Sequence, residues 1–325
     1  MAACGRIRRM ENDDDGSRLG GDAFKAPPPA PVADRILDGK LFAARWHAEI
    51  AAEAAAMVAS GGVRPCLAVV LVGDNPASIS YVTAKERACE RDGFTSRHVQ
   101  FPADASEDDV VAAVRSLNAD PLVHGILVQL PLPRHIREEA VVAAISPEKD
   151  VDGFTPVNIG RMMTGQECFL PCTPHGIVRL LSDAGIETAG KHAVVVGRSN
   201  IVGRPLANLL SQKRPGGNAT VTLCHTATDD IARFTRQADI LVVAAGRPST
   251  VTGDMVKDGA VVIDVGVNRI DDPSAARGHR LVGYVDFESA SKRASRITPV
   301  PGGVGPLTIA MLMRNTLIAA QRQTR

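Results

Sequence analysis

The sequence predicts an α/β protein built from two doubly wound units, each a parallel sheet with helices on both faces, and a C-terminal helix that returns to the first unit. Three observations carry this prediction. Short aliphatic runs at 67–72 and 125–130 alternate with helical patterns, and runs so uniformly apolar belong to strands covered on both faces. A second alternating series begins after Thr173, and its first strand runs straight into a glycine-containing turn and a new helix. The 325 residues are enough to build two hydrophobic cores.

The elements follow in order. Residues 1–31 carry Arg6, Arg8 and Arg9, then Glu11 and three consecutive aspartates, then a Pro/Ala run without an apolar core, which predicts a disordered extension rather than a signal peptide. An Ala-rich helix over 41–60 is stopped by Gly61 and Gly62. The strand at 67–72 lies between Pro65 and Gly73, and the segment after it places Ser78, Tyr81 and Lys85 on one helical face. A helix over 106–117 and the strand at 125–130 complete the first series. The second series predicts helices over 175–184, 203–212 and 229–237 and strands over 193–196, 220–223, 240–244 and 261–265. A last helix runs from Pro306 to about Ala320.

A formal net charge of +1 without a basic tract in the body argues against nucleic acid or a membrane surface as partner, and favours a small molecule. No segment offers the roughly twenty uninterrupted apolar residues of a membrane helix. The six cysteines, Cys4, Cys66, Cys89, Cys168, Cys172 and Cys224, form neither a Cys-x-x-Cys pair nor a dense framework. They read as free thiols of a reducing compartment, so a cytoplasmic protein is expected. No His/Cys/Asp grouping has metal-ligand spacing.

The segment 299–308, PVPGGVGPLT, holds three prolines and three glycines. It fixes a rigid backbone poor in side chains, against which a flat ligand can lie. Pro301, Gly302, Gly303, Val304 and Gly305 are its centre. After the strand ending at Val196, Gly197, Arg198, Ser199, Ile201, Val202 and Gly203 form a strand-to-helix turn whose amides and helix N-terminus can hold a phosphate. The spacing departs from Gly-x-Gly-x-x-Gly: Ser199 takes the second place and Gly203 comes one residue late. Past the next strand, where an NAD enzyme presents an acid to the ribose, stand Cys224, His225 and Thr226. Nothing there repels a phosphate, and Arg198 can pair with one, which favours NADP over NAD; the alternative is a solvated loop charge.

In the first unit, Tyr81 offers a ring for stacking beside Lys85, an amine whose pKa falls on desolvation. On an arbitrary helix the same pair is an amphipathic edge residue and a solvated charge. Val128, Gln129 and Leu130 sit at a carboxyl strand end, before Pro131 and Pro133 block further pairing. Gln129 there can face a ligand or satisfy loop backbone. Asp150 and Asp152, ahead of Gly153, either cap a turn or offer a bidentate carboxylate to the amino groups of a heterocycle.

Taken together these segments resemble the bifunctional methylenetetrahydrofolate dehydrogenase/cyclohydrolase, or FolD-like, family. The matching segments are YVTAK at 81–85, VQLPLP at 128–133, KDVDG at 149–153, PCTPHG at 171–176, VVGRSNIVGRP at 195–205, DVGVN at 264–268 and the 299–308 loop. They stand in the family's order and span 36 to about 320. The resemblance implies a folate-binding catalytic domain over 32–174, completed by 300–325, and a Rossmann-type NADP-binding domain over 175–299. It implies oxidation of 5,10-methylenetetrahydrofolate by NADP⁺ and hydrolysis of the product to 10-formyltetrahydrofolate, within a homodimer. By the same resemblance Tyr81 stacks on folate, Lys85 is the catalytic lysine tuned by Gln129, and Asp152 holds the pterin. Thr226 stands where many relatives carry serine, and Val267 where isoleucine is common.

Two other readings use the same residues. A short-chain dehydrogenase also carries Tyr-x-x-x-Lys, but its glycine loop precedes the tyrosine, whereas Gly197 follows Tyr81. A dinucleotide sensor with an idle cleft has no need of Lys85, Gln129 and Asp152 together.

Overall fold

A computed structural model describes residues 35–275 and 278–324. The expected disordered extension over 1–31 lies outside the described residues.

Asp38 caps α1 (Gly39–Ala59) by accepting hydrogen bonds from the amides of Lys40 and Leu41. Strand β1 (Cys66–Val72) follows, then α2 (Pro76–Arg91), β2 (Thr95–Phe101), α3 (Glu107–Ala119), β3 (Gly125–Val128), α4 (Glu138–Ala143) and α5 (Pro156–Met163). The three strands form a parallel sheet in the order β2-β1-β3. Along β1 the side chains alternate: Leu67, Val69 and Leu71 enter one core, and Ala68, Val70 and Val72 enter another beneath α3. This is the period-two pattern of a strand buried on both faces.

The second unit contains α6 (Cys172–Asp183), β4 (His192–Val196), α7 (Gly203–Ser211), β5 (Thr220–Cys224), α8 (Ile231–Thr235), β6 (Ile240–Val243) and β7 (Val261–Asp264). After them come a β8–β9 hairpin (Asn268–Asp271, His279–Val282), α9 (Phe287–Ser291), β10 (Arg296–Ile297) and α10 (Val304–Gln323). The sheet is parallel throughout, in the order β10-β7-β6-β4-β5.

One core cluster is shared by both units, running from Trp46 and Leu67 through α6 and α10 to Val195 and Ile263. Helix α10 packs against α1, α2 and α6. The expected division at 174 falls inside the first turn of α6, so the chain passes between units within a helix that both use.

Several elements differ from expectation. Strand β2 was not anticipated because it is an edge strand, largely exposed, with Val99 and Phe101 as its apolar contribution to the core. The β8–β9 hairpin, α9 and β10 are likewise additions, too short or too polar to carry a period. The helix expected over 229–237 contracts to α8 because Asp230 caps it, accepting from the amides of Ala232 and Arg233. Helix α10 begins at Val304, before Pro306, so Val304 and Gly305 belong to its first turn.

Candidate active site

Asn75 caps α2 through the amides of Ala77 and Ser78, with Pro76 in the first turn, and this fixes the register that presents Tyr81 and Lys85. Across from α2, the amide of Gln129 donates to the Val70 carbonyl, which holds the residue at the carboxyl end of β3. Lys85 Nζ then donates to Gln129 Oε1 at 2.9 Å. The other half of the same amide, Gln129 Nε2, donates to the Leu130 carbonyl at 2.7 Å. Of the two sequence readings of Gln129, loop-backbone satisfaction is seen at Nε2, while Oε1 meets the lysine.

The two aspartates divide the work that the sequence left undecided. Asp150 is fully buried and accepts from the amides of Gly153, Phe154 and Thr155 and from Asn158 Nδ2, at 2.8 to 3.1 Å. It is the turn-capping acid. Asp152 is left to interact with Lys85 and with the Cys172 thiol. Burial pushes the Asp152 carboxyl above the usual range, opposed by the Lys85 charge. Burial pushes the Lys85 ammonium below its ordinary value, opposed by Asp152. The same burial holds the Cys172 thiol well above its normal pKa, so it stays a thiol.

Beside this cluster a cleft of about 560 Å³ lies between α1, α2 and the second unit. Tyr81, 48% exposed, lines it from α2. Val265, Gly266 and Val267 line it from the end of β7, and Pro299 to Pro306 close one side. Lys85, Gln129 and Asp152 adjoin this cleft rather than line it. Successive helical residues turn by 100°, so Lys85 stands about 40° round α2 from Tyr81, on the flank facing Gln129. The Val128 side chain is buried in the core under α3 and Leu130 packs against it, which leaves these two residues their main chains to offer.

The Pro/Gly loop is held tightly. Gly302 adopts φ 103°, and its carbonyl accepts from the Lys40 amide. A Cβ on Gly39 would stand 1.7 Å from the Gly303 carbonyl oxygen, so α1 and the loop touch backbone to backbone.

The turn after β4 is just as close. Gly197 has φ 123°, and a Cβ on Gly203 would lie 1.9 Å from the Gly197 carbonyl oxygen. Ser199 Oγ accepts from the amides of Val202 and Gly203, which ties its hydroxyl oxygen to the start of α7. Arg198 is exposed, and among the described residues no carboxylate pairs with it. Val196 and Cys224 are register partners in β4 and β5, so Arg198 and the exposed Thr226 emerge from the carboxyl ends of adjacent parallel strands. Ile201 and Val267 are exposed apolar groups at the same edge of the sheet. A glycine cradle closed to side chains beside an uncompensated guanidinium fits a phosphorylated dinucleotide.

Asp264 is a structural centre that sequence reasoning did not single out by itself. Buried at the end of β7, it accepts from the amides of Gly266, Tyr284 and Val285, while its own amide donates to Thr298 Oγ1 at 2.8 Å. Burial nevertheless pushes its carboxyl up. It joins the Val265–Val267 turn, the segment after the hairpin and the approach to the Pro/Gly loop. The one available signal was an acid closing an aliphatic run two residues before Gly266.

Fold and site together define a two-unit α/β protein with a dinucleotide cradle and a partly desolvated lysine at the cleft between the units. Two family models match the chain: the tetrahydrofolate dehydrogenase/cyclohydrolase catalytic domain over 37–152, and the NAD(P)-binding domain of the same enzymes over 171–324. The chain belongs to the tetrahydrofolate dehydrogenase/cyclohydrolase family. It is 55% identical over 289 residues to the bifunctional protein FolD of Chlorobium phaeovibrioides, covering 88% of this chain and 98% of that protein. The bifunctional protein FolD of Aromatoleum aromaticum is 56% identical over 292 residues, with 90% and 98% covered. Among solved structures, the Trypanosoma brucei methylenetetrahydrofolate dehydrogenase-cyclohydrolase complexed with NADP cofactor and inhibitor superposes with a TM-score of 0.84 at 42% identity, covering 89% of this chain and 98% of the other. The Campylobacter jejuni FolD enzyme gives 0.83 at 47% identity, covering 88% and 98%.

Proposed function

We propose that this chain oxidises 5,10-methylenetetrahydrofolate to 5,10-methenyltetrahydrofolate with NADP⁺ and hydrolyses the product to 10-formyltetrahydrofolate in the same cleft. The observation that carries this reading is the Lys85–Gln129 hydrogen bond of 2.9 Å beside a cleft that Tyr81 and Val267 line from opposite units. NADP⁺, when bound, supplies the hydride acceptor. The protein's share of that step is to hold two flat rings face to face in a dry cleft, which is catalysis by proximity. Tyr81 stacks on the folate, Asp152 accepts from the donors of the pterin, and the segment Pro301 to Gly305 closes the space around both rings.

Hydrolysis does need a proton carrier. Water adds to the methenyl carbon, a ring C–N bond breaks, and one proton is released. Lys85 is fitted to this work because burial pulls its pKa toward the operating range while Gln129 Oε1 fixes the direction of Nζ. Gln129 tunes the lysine, and the main chain at Val128 and Leu130 borders the folate.

On the cofactor side, the turn from Gly197 to Val202 takes the phosphates with the amides of Ser199 and Ile201 as donors, the Gly197 and Val202 amides being engaged by the Cys224 carbonyl and Ser199 Oγ; Arg198 and the Thr226 hydroxyl take the 2′-phosphate, and Val267 packs on the nicotinamide. We assign folate binding to 32–174 with 300–325 and cofactor binding to 175–299. The buried free thiols of Cys89, Cys172 and Cys224 support a reducing, cytoplasmic setting. A homodimer through the cofactor unit is supported by the outer edge of β5, which pairs with no other strand among the described residues, and sedimentation tests it. Spectrophotometric assay of methenyltetrahydrofolate formation and decay, with NADP⁺ and NAD⁺ side by side, tests the activity. Absence of either conversion overturns the bifunctional assignment.

A further inference from the structure

Asn315 lies in the middle of α10, 2% exposed and distant in sequence from Lys85, Gln129 and Asp152. Its Nδ2 donates to the Val151 carbonyl at 2.8 Å and to the Leu170 carbonyl at 3.1 Å, and approaches Cys172 Sγ at 3.7 Å. Val151 immediately precedes Asp152, and Leu170 stands two residues before Cys172. One side-chain amide therefore spends both hydrogens on the two segments that deliver the two groups acting on Lys85.

Those segments form a seam with no room to spare. A Cβ on Gly153, at φ 75°, would stand 2.6 Å from the Leu170 carbonyl carbon and 2.7 Å from the Pro171 nitrogen. Cys172 Sγ adds a third tie by donating to the Val151 carbonyl at 3.3 Å. Asp150 fixes the far side of the turn, so Asn315 supplies the side-chain anchor that reaches Asp152 from behind. The same helix begins directly after the Pro/Gly loop, at Val304.

We propose that Asn315 is a positioning residue: from α10 it clamps the 151–153 and 170–172 segments so that Asp152 is held toward Lys85 and the pterin. This rests on the role given to Asp152 in the proposed function. A leucine at 315 matches the size of the amide but strips the Leu170 carbonyl of the Asn315 donor and leaves the Val151 carbonyl only the weak Cys172 thiol, a loss that in general is worth roughly one to two decades in an equilibrium.

The test is a double-mutant cycle on the full chain with N315L, D152N and the double variant, reading KM for methylenetetrahydrofolate, the Kd of NADP⁺ and the melting temperature. N315L is expected to raise the folate KM by about tenfold or more while leaving the NADP⁺ Kd within about twofold. In the D152N background the same substitution is expected to add little, since groups that act through one another are not additive. Should N315L not fold, N315S, which retains one donor, takes its place in the cycle. A full multiplicative penalty on top of an impaired D152N overturns the clamp alone, as does an unchanged folate KM in a folded N315L or N315S. A D152N with parental folate affinity overturns the role of Asp152 and the clamp with it.

Discussion

Replacing Lys85 with methionine separates the two activities. Methionine keeps the unbranched apolar stem and removes the amine that Gln129 Oε1 accepts from at 2.9 Å. A positioned proton carrier contributes about 10²–10⁴ in rate, so cyclohydrolase kcat is expected to fall by that factor, a barrier increase of about 3–5 kcal/mol. Hydride transfer needs ring placement rather than an exchangeable proton, and dehydrogenase activity is expected to persist within about tenfold. Stability provides the control. The folded-state pKa of Lys85 is lowered by burial, so between that value and the free-lysine value of about 10.4 the unfolded chain binds more protons and stability rises with pH. At any pH below the free-lysine value the parent bears the cost of burying this amine, charged or neutralised, which the methionine variant lacks. At pH 7 K85M is therefore expected to melt no lower than the parent. Stopped-flow measurement of methenyltetrahydrofolate hydrolysis, a coupled dehydrogenase assay and a melting curve decide the matter. Parental hydrolysis in K85M, or equal loss of both activities in a protein of parental stability, refutes Lys85 as the proton carrier.

His175 on α6 has a buried Nδ1 without a hydrogen-bond partner among the described residues, and burial beside Arg214, Arg179 and Arg314 lowers its pKa to about 4. Between about 6.5 and 4 the unfolded chain binds the extra proton, so stability is lost as pH falls through that window, by about 3 kcal/mol at most. Urea titrations at pH 4.5 and 7.5 are expected to show H175L with a flatter acid limb than the parent, and identical slopes discard the assignment. Removing the guanidinium in R198A is expected to weaken NADP⁺ binding by about 1.5–3 kcal/mol, or one to two decades, with NAD⁺ nearly indifferent. Calorimetric titration of both cofactors checks this, and parallel weakening of the two sinks the phosphate-reading role. G203A places a methyl 1.9 Å from the Gly197 carbonyl oxygen, which forces the turn apart. A loss of about 1–3 kcal/mol in the denaturant midpoint, together with weaker binding of both cofactors, is expected, and unchanged cofactor affinity counts against the cradle.

The sequence by itself determined what is local. The runs that became β1, β4, β6 and β7 contain almost nothing but aliphatic residues, and a strand buried on both faces needs no other signal. The turn at Gly197 and the loop around Gly302 were legible because glycine and proline write backbone conformation directly into composition. Motif order across the chain was enough to indicate the family.

Tertiary structure decided whatever depends on partners far apart in the chain. Edge strand β2 and the β8–β9 hairpin show no apolar period, because one side of each faces away from a core. Gln129 could face a ligand or satisfy loop backbone by its sequence position; the fold gives its Nε2 to the Leu130 carbonyl and brings Lys85, on a separate element, to its oxygen. The residue pattern of the 149–153 motif did not separate cap from ligand-facing acid, and only the resemblance named Asp152; burial and four donors make Asp150 the cap and leave Asp152 to the lysine. Asn315 carried no signal, because a single polar residue in an apolar helix acquires meaning only from the carbonyls packed against it. Nor does local pattern mark the passage between units, for α6 and α10 bury their faces in a core that both sheets share.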